Sequence, residues 1–434
     1  MSTLMLLRLL TLLLALGATV ASAALPPAWR GHWEGAVTFR GDTWPIRLAL
    51  PEAANATLDL PELWMAWEPV SVEAAEDTAT VELPFGLGAV PLGACGAGLC
   101  GSRTIGDDVL AITLQRATPL AATRREVVLQ SGKATLHGTF RAPPGEALPA
   151  VVLVHGATNR TRDAWNYRSA ADHWLRRGHA VLLYDKRGSG ASTGTWMTTS
   201  FPDLAELGAD LRVALDWVAR QPQVDAARVG VHGGSEALWT TAIATELGAT
   251  PAFAVISGAP ATTPLVQERE RVLLRVEAAD LPAADREAAR RHVALYFEAA
   301  ADPAGSAEAI ASSAAAEGAP WKDLVPHART DDDFYWWRHN HDVDPAPMLR
   351  DWNFPVLLLH GGADADVVPT THLPRMRALI DPGVLTIRTF PGAAHNLELP
   401  GGRDAAGQWR FPRKPPGLAA AIDAWREGAM LATP

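Results

Sequence analysis

The sequence predicts an α/β fold. It consists of a mostly parallel central sheet with helices on both faces and a helical cap, preceded by a small β-rich domain. Three observations carry this reading. From about Arg124 onward, short apolar runs alternate with helical patterns, as strands joined by crossover helices do. From Leu25 to about Ala117 the chain is instead strand-like throughout, with Pro, Gly and Asn-Ala punctuation and no long helical pattern. One long helical stretch, Thr263 to about Ala316, then breaks the alternation, and a polar segment rich in tryptophan follows it to Trp352, as in an insertion that caps a sheet edge. The expected division is residues 1–23 a signal peptide, 24–120 the β-rich domain and 121–434 the α/β domain, with the cap at about 260–352.

The first element is a leader. Arg8 and the amino terminus precede the apolar run Leu9–Leu16, and Ala21-Ser22-Ala23 supplies a small-residue cleavage site. Cleavage after Ala23 and a periplasmic or secreted protein are expected, with no membrane insertion afterwards. The apolar run is short for a span, so an uncleaved anchor is the alternative. No cysteine near the cleavage site offers a lipid anchor.

In the β-rich region, segments such as Ile46–Leu50 and Thr78–Leu83 read as strands. Trp29, Trp33, Trp44, Trp64 and Trp67 are read as core and interface, a ligand-binding set being the other reading. The chain's two cysteines, Cys95 and Cys100, sit in GACGAGLCG. Outside the cytoplasm such a pair is a disulfide closing a glycine loop. A metal site would need two further ligands, and the local sequence has none.

Composition bounds the partners. The 434 residues carry a net charge of −10, with only four lysines (Lys133, Lys186, Lys322, Lys414) and no basic run to track phosphates. This excludes nucleic acid as a partner.

In the α/β region, apolar runs at Glu126–Leu129, Leu136–Phe140, Val151–His155, Val181–Tyr184, Val229–Val231, Phe253–Ile256, Val356–His360 and Leu385–Phe390 predict the strands. Asp163–Arg177, Leu204–Arg220 and Leu373–Ile380 predict helices between them. Glycines at the strand ends place the chemistry-bearing loops at the carboxyl edge of the sheet. The stretch RVGVHGGSEALWTTAIATELG (residues 228–248) runs from a strand through a tight small-residue turn into a helix, with Ser235 in the turn. That is the order of a nucleophile elbow, although the usual G-x-S-x-G reads here Gly233-Gly234-Ser235-Glu236-Ala237.

A serine hydroxyl needs a base, and the base an orienting acid, which on such a sheet follow in the order serine, acid, histidine. After strand Val356–His360 comes GGADADVVP, with Asp364 as the expected acid and Asp366 as its rival. After strand Leu385–Phe390 comes PGAAHN, with His395 as the expected base. The oxyanion that forms on attack needs two donors, and the backbone N–H groups of Glu236 and Ala157 are the candidates. His155, which precedes Ser235 and ends a strand, reads as structural.

Other stretches fit the known motifs less well. Asp185–Gly194 (DKRGSGASTG) looks like a phosphate loop but lacks the Gly-Lys-Ser/Thr ending, so it reads as a shaped loop beside the site. His339–Asp344 has metal-friendly residue types without a completing ligand, and His372, at a helix start, is a weak rival to His395 for the role of base. Trp336 and Trp337 read equally as pocket lining and as packing. No metal and no cofactor is expected.

With these residues in place, the chain resembles the bacterial α/β-hydrolase esterases of the EstD type, in the branch shared with S33-like serine aminopeptidases. The resemblance spans nearly the whole mature chain and rests on Gly31-His32-Trp33-Glu34-Gly35, VVLVHG, YDKRGSGASTG, the elbow, HGGADADVVP and PGAAHN. It implies the α/β-hydrolase fold and hydrolysis of a small-molecule carboxylic ester by Ser235, Asp364 and His395. The sequence departs from the family at Gly234, at Ala237 and at Ala157-Thr158. A serine peptidase or acyltransferase on the same fold is the alternative, and an inactive module binding an envelope glycan or lipid a further one. Oligomeric state is left open.

Overall fold

In the computed structural model, residues 25–51, 55–74, 78–157, 160–194, 203–404 and 406–431 are described. The expected signal peptide and Thr158 lie outside them.

The strand-like region forms one antiparallel sheet of nine strands: β1 (Gly31–Phe39), β2 (Asp42–Leu50), β3 (Ala56–Leu60), β4 (Met65–Val70), β5 (Val72–Ala74), β6 (Ala79–Leu83), β7 (Gly88–Cys95), β8 (Gly98–Ile105) and β9 (Asp108–Ala117). Its order is β4-β3-β2-β1-β9-β8-β7-β6-β5. The period-2 pattern explains it: along β2 the alternate residues Trp44, Ile46, Leu48 and Leu50 are buried, and the residues between them are less so. Cys95 and Cys100 are joined by a disulfide across the β7–β8 hairpin, their Cα atoms 5.9 Å apart.

The second sheet has eight strands: β10 (Thr123–Ser131), β11 (Ala134–Ala142), β12 (Leu148–Val154), β13 (Ala180–Tyr184), β14 (Val224–Gly234), β15 (Ala254–Ser257), β16 (Val356–Gly361) and β17 (Leu385–Phe390). The order is β10-β11-β13-β12-β14-β15-β16-β17. β10 and β11 are antiparallel to their neighbours, and the rest run parallel. The inner strands β13 and β16 are buried at every position, because helices cover both faces. Those helices include α1 (Trp165–Leu175), α2 (Leu204–Ala219) and α3 (Ala237–Glu246). This is the expected α/β-hydrolase fold.

The single long helical stretch expected after Thr263 is three helices: α4 (Pro264–Ala278), α5 (Ala283–Ala301) and α6 (Ser306–Ala315). Pro282 and Pro303 punctuate it, since proline ends the helix before it and opens the next. With α7 (Tyr335–Asn340) they build a cap with its own core, in which Val272, Val276, Val293, Phe297 and Phe334 are buried, whereas α8 (Ala346–Arg350), also in the expected cap, places Leu349 in the core of the main sheet. Helix α9 (Pro369–Leu379) returns the chain to the main sheet.

The expected domain boundary misses one feature. After β17 the chain crosses back to the N-terminal sheet, where β18 (Gly402–Arg403) and β19 (Trp409–Arg410) form a small hairpin, before α10 (Leu418–Leu431) closes the fold. Phe411 is buried in the N-terminal core, stacked on Trp44 at 4.1 Å and edge-on to Trp409 at 4.6 Å. Its N–H donates to buried Asp42 at 2.8 Å, and Arg410 and Arg413 pair with the same carboxylate. Among the described residues, no helix is long and apolar enough to cross a membrane.

Phe411 therefore stitches the C-terminal segment to the β-rich domain. Phe411→Ala is expected to cost about 3–5 kcal/mol, the range for removing a fully buried aromatic ring. Urea unfolding of the whole chain measures it, and a loss below about 1 kcal/mol would mean the stitch is dispensable.

Candidate active site

The parallel strands deliver their loops to one edge. β12 leads into His155-Gly156-Ala157, β13 into Asp185-Lys186-Arg187, β14 into Ser235, β15 into Gly258, β16 into Asp364 and β17 into His395.

At the elbow Ser235 has φ 57°, a left-handed conformation that costs a non-glycine residue about 1–3 kcal/mol and is held only by tight surroundings. Its N–H donates to Ser257 O at 2.7 Å. The unusual residues of the motif fit those surroundings. A Cβ on Gly233 would lie 2.5 Å from the Ala237 Cβ and 2.7 Å from Val154 O, so the methyl of Ala237 makes glycine mandatory two places before the serine. A Cβ on Gly234 would meet Ser257 Oγ at 2.7 Å, which accounts for glycine where bulk is usual. Among the described residues the Ser235 hydroxyl has no hydrogen-bond partner, and it lines a cavity of about 720 Å³ together with His395.

His395 Nδ1 lies 2.9 Å from Asp364 Oδ2. Asp364 is buried, and its other oxygen accepts from the N–H groups of Asp366 and Val367 at 2.9 and 2.8 Å. Asp366 instead faces Arg271 at 3.6 Å and is half exposed. Of the two rivals, Asp364 is thus the carboxylate bonded to the imidazole. Burial works against a charged imidazole, but the Asp364 hydrogen bond and charge outweigh it and raise His395 above its ordinary 6.5. The same pairing outweighs burial at Asp364 and lowers it. His155 and His232 are driven the other way by burial, to about 3. His155 packs edge-on to Tyr167 and Tyr184, and His372 is taken up by the Ala261 N–H and Glu270, so neither serves the cavity.

Gly258 is a site residue that the strand pattern hides. With φ 56°, it turns the chain directly under the imidazole, and a Cβ there would lie 2.7 Å from His395 Cε1 and 2.9 Å from Nδ1. Its only signal in the sequence is a glycine at a strand end, which many turns share.

The N–H groups of Ala157 and Glu236 both border the cavity, and among the described residues neither donates to another group. The walls come from three parts of the chain: Trp64 from the β-rich domain, Trp165 and Trp239 from the α/β domain, Trp336 and Trp337 from the cap. Two of the tryptophans with open readings, Trp336 and Trp337, therefore line the pocket, as does Trp64 from the N-terminal set. Asp364, Asp366 and His395 place ligand atoms within 4.8 Å of one another, with Asp364 bonded to His395 and Asp366 turned toward Arg271. His339–Asp344 gathers no comparable set among the described residues.

Residues 134–389, more than half of the chain, match the X-Pro dipeptidyl-peptidase (S15) family profile. The chain belongs to the S15 family. Family and fold make this S15 protein a serine hydrolase. It is also similar to three solved structures. An α/β hydrolase of Penicillium sp. sh18 is 19% identical over 63% of this chain and 91% of that one, with a TM-score of 0.42. An esterase of Pyrococcus furiosus is 16% identical over 68% and 88%, with a TM-score of 0.43. A proline iminopeptidase of Mycobacterium smegmatis is 19% identical over 71% and 97%, with a TM-score of 0.43. No curated protein matches. The substrate of this S15 hydrolase must therefore be read from its own cavity.

The raised His395 gives a direct test. Because the carboxylate holds the proton on the ring, the imidazole is expected to titrate by NMR with a midpoint above 6.5. In Asp364→Asn burial keeps its lowering effect while the Asp364 hydrogen bond and charge are lost, so the midpoint should fall below that of the native protein; an unchanged midpoint would refute the assignment.

Proposed function

We propose that this S15 protein hydrolyses carboxylic esters of short to medium acyl length through an acyl-enzyme, outside the cytoplasm. The observation that carries the proposal is the strained Ser235, its hydroxyl facing the same cavity as a histidine already anchored to a buried carboxylate.

In this reading Ser235 Oγ attacks the ester carbonyl while His395 Nε2 takes the hydroxyl proton. Asp364 fixes the tautomer through Nδ1 and stabilises the imidazolium. The Ala157 and Glu236 N–H groups receive the developing oxyanion. His395 then protonates the leaving alcohol, and water repeats the sequence on the acyl-enzyme.

An ester is favoured over a peptide by the charges in the walls. The lining carboxylates each face a cation of the chain itself: Glu236 faces Lys186, and Glu268 and Asp366 face Arg271. A peptide's free amino terminus finds no idle carboxylate among them. The tryptophan walls accept an apolar group of limited size rather than a long chain. The EstD-type motifs and the Cys95–Cys100 disulfide support the ester reading and the exported location. The S15 family name favours the second reading, cleavage after an X-Pro dipeptide.

Ser235→Ala should abolish ester turnover and labelling by a fluorophosphonate while the fold persists, and native-like turnover in that variant would remove Ser235 from the mechanism. Asp364→Asn should lose about 10⁴ in kcat, far more than Asp366→Asn. Acyl chains of about two to eight carbons should be turned over faster than palmitoyl, because each further methylene repays its ~0.8 kcal/mol only where apolar surface covers it. Rates on acetyl, butyryl, octanoyl and palmitoyl nitrophenyl esters beside an X-Pro anilide decide the point. A preference for the anilide would favour the peptidase reading.

A further inference from the structure

Lys186 is nearly sealed from solvent, its side chain 3% exposed, and it reaches across two loops at once. Its ammonium pairs with Glu236, the residue after Ser235, whose side chain is 9% exposed, and also donates to Gly156 O at 3.1 Å. The carbonyl of Gly156 and the N–H of Ala157 belong to one planar trans peptide, so they point in opposite directions. Whatever grips the Gly156 oxygen thereby aims the Ala157 N–H. The preceding peptide is gripped too, since the Gly156 N–H donates to the Tyr167 hydroxyl at 2.9 Å. The loop also lies against the elbow: a Cβ on Gly156 would come within 3.1 Å of Gly234 O.

We propose that the Lys186–Glu236 pair is a positioning device that sets both oxyanion donors together. It holds the Ala157 N–H through the Gly156 carbonyl, and the Glu236 N–H through that residue's own side chain. Lys186 touches no reacting atom and acts through these two peptides. It comes from the loop after β13, whose Arg187 is locked to Asp210 and Glu206, so the ammonium is presented by a rigid base. A buried ammonium left without its carboxylate, or the reverse, is costly, which explains why the two arrive as a pair. The inference rests on the serine hydrolase reading with Ser235 as nucleophile.

The test uses the full chain and three variants: Ser235→Ala, Lys186→Met and the double variant Lys186→Met/Glu236→Gln. Sites that react with a fluorophosphonate are counted first, and kcat for a butyryl ester is expressed per reactive site, so that partial unfolding cannot imitate a catalytic loss. Binding of a phenylboronic acid, which places an oxygen where the oxyanion forms, is measured in parallel. Lys186→Met should lower kcat per site roughly 10- to 100-fold, less than loss of a whole oxyanion donor. KM should stay within about threefold and boronate affinity should fall with kcat. The double variant strands no buried charge but cannot hold the Gly156 carbonyl, so its thermal midpoint should recover and its kcat should not. If the double variant regains native kcat per site, Lys186 only neutralises Glu236 and the proposal fails. If Lys186→Met keeps native kcat and boronate affinity, it fails as well. If Ser235→Ala still turns over ester, the underlying reading is what has failed.

Discussion

The site depends on one constraint: Ser235 must be held in a left-handed backbone between the end of β14 and the start of α3. A strand and a helix joined by only Ser235 and Glu236 come very close together, and only small groups fit between them. The chain meets this with Gly233 beneath Ala237, Gly234 against Ser257 and Gly156 against the elbow carbonyl. Gly258 makes the corresponding room for the imidazole on the other side. Tight packing here is what offsets the strained backbone, because a loose shell would let Ser235 relax to an ordinary turn.

Electrostatics follow from the same crowding. Groups brought this close lose water, so each buried charge needs a partner within the protein. Lys186 has Glu236, Arg187 has Asp210, and Asp364 has His395 together with two backbone N–H groups. This bears on the proposed substrate. A cavity whose lining carboxylates are already paired with cations of the chain has little left to bind a cationic end group, while indole rings make up part of its walls.

The parts readable in the sequence were those written locally. Strand ends, the turn around Ser235 and the chain order serine, acid, histidine lie in contiguous stretches, so apolar runs and glycines reveal them. Asp364 is preferred over Asp366 on the H-G-x-x-D spacing of the family that the chain resembles, and in the fold it is the carboxylate 2.9 Å from His395 Nδ1. What stayed hidden joins distant stretches. Lys186 and Glu236 lie fifty positions apart, and the nearby DKRGSG run looked like a phosphate loop because its glycines serve a turn around Asp185. The breaks within the cap were marked by Pro282 and Pro303, yet the helical pattern on either side masked them. The C-terminal hairpin gave no signal, since two-residue strands carry no period and Phe411 buries itself against a core nearly four hundred residues earlier.

That return of the chain also shows why the β-rich domain belongs to the site. Lys414, just past the hairpin, donates its backbone N–H to Glu62 O at 2.6 Å and its ammonium to Asn396 O at 2.6 Å. Glu62 sits in the turn before Trp64, and Asn396 follows His395. One residue thus ties the loop of the proposed base to the turn that presents a wall of the cavity. Trp64 is itself held at φ 54°, stacked on His173 at 5.2 Å, with its carbonyl accepting from Ser169. Its left-handed backbone closes the Pro61–Leu63 turn, and Trp67 and Phe85 of the same domain share that conformation at φ 53° and 59° without lining this cavity. The indole of Trp64 lines the cavity together with Ser235 and His395, which makes the N-terminal sheet a structural wall of that cavity.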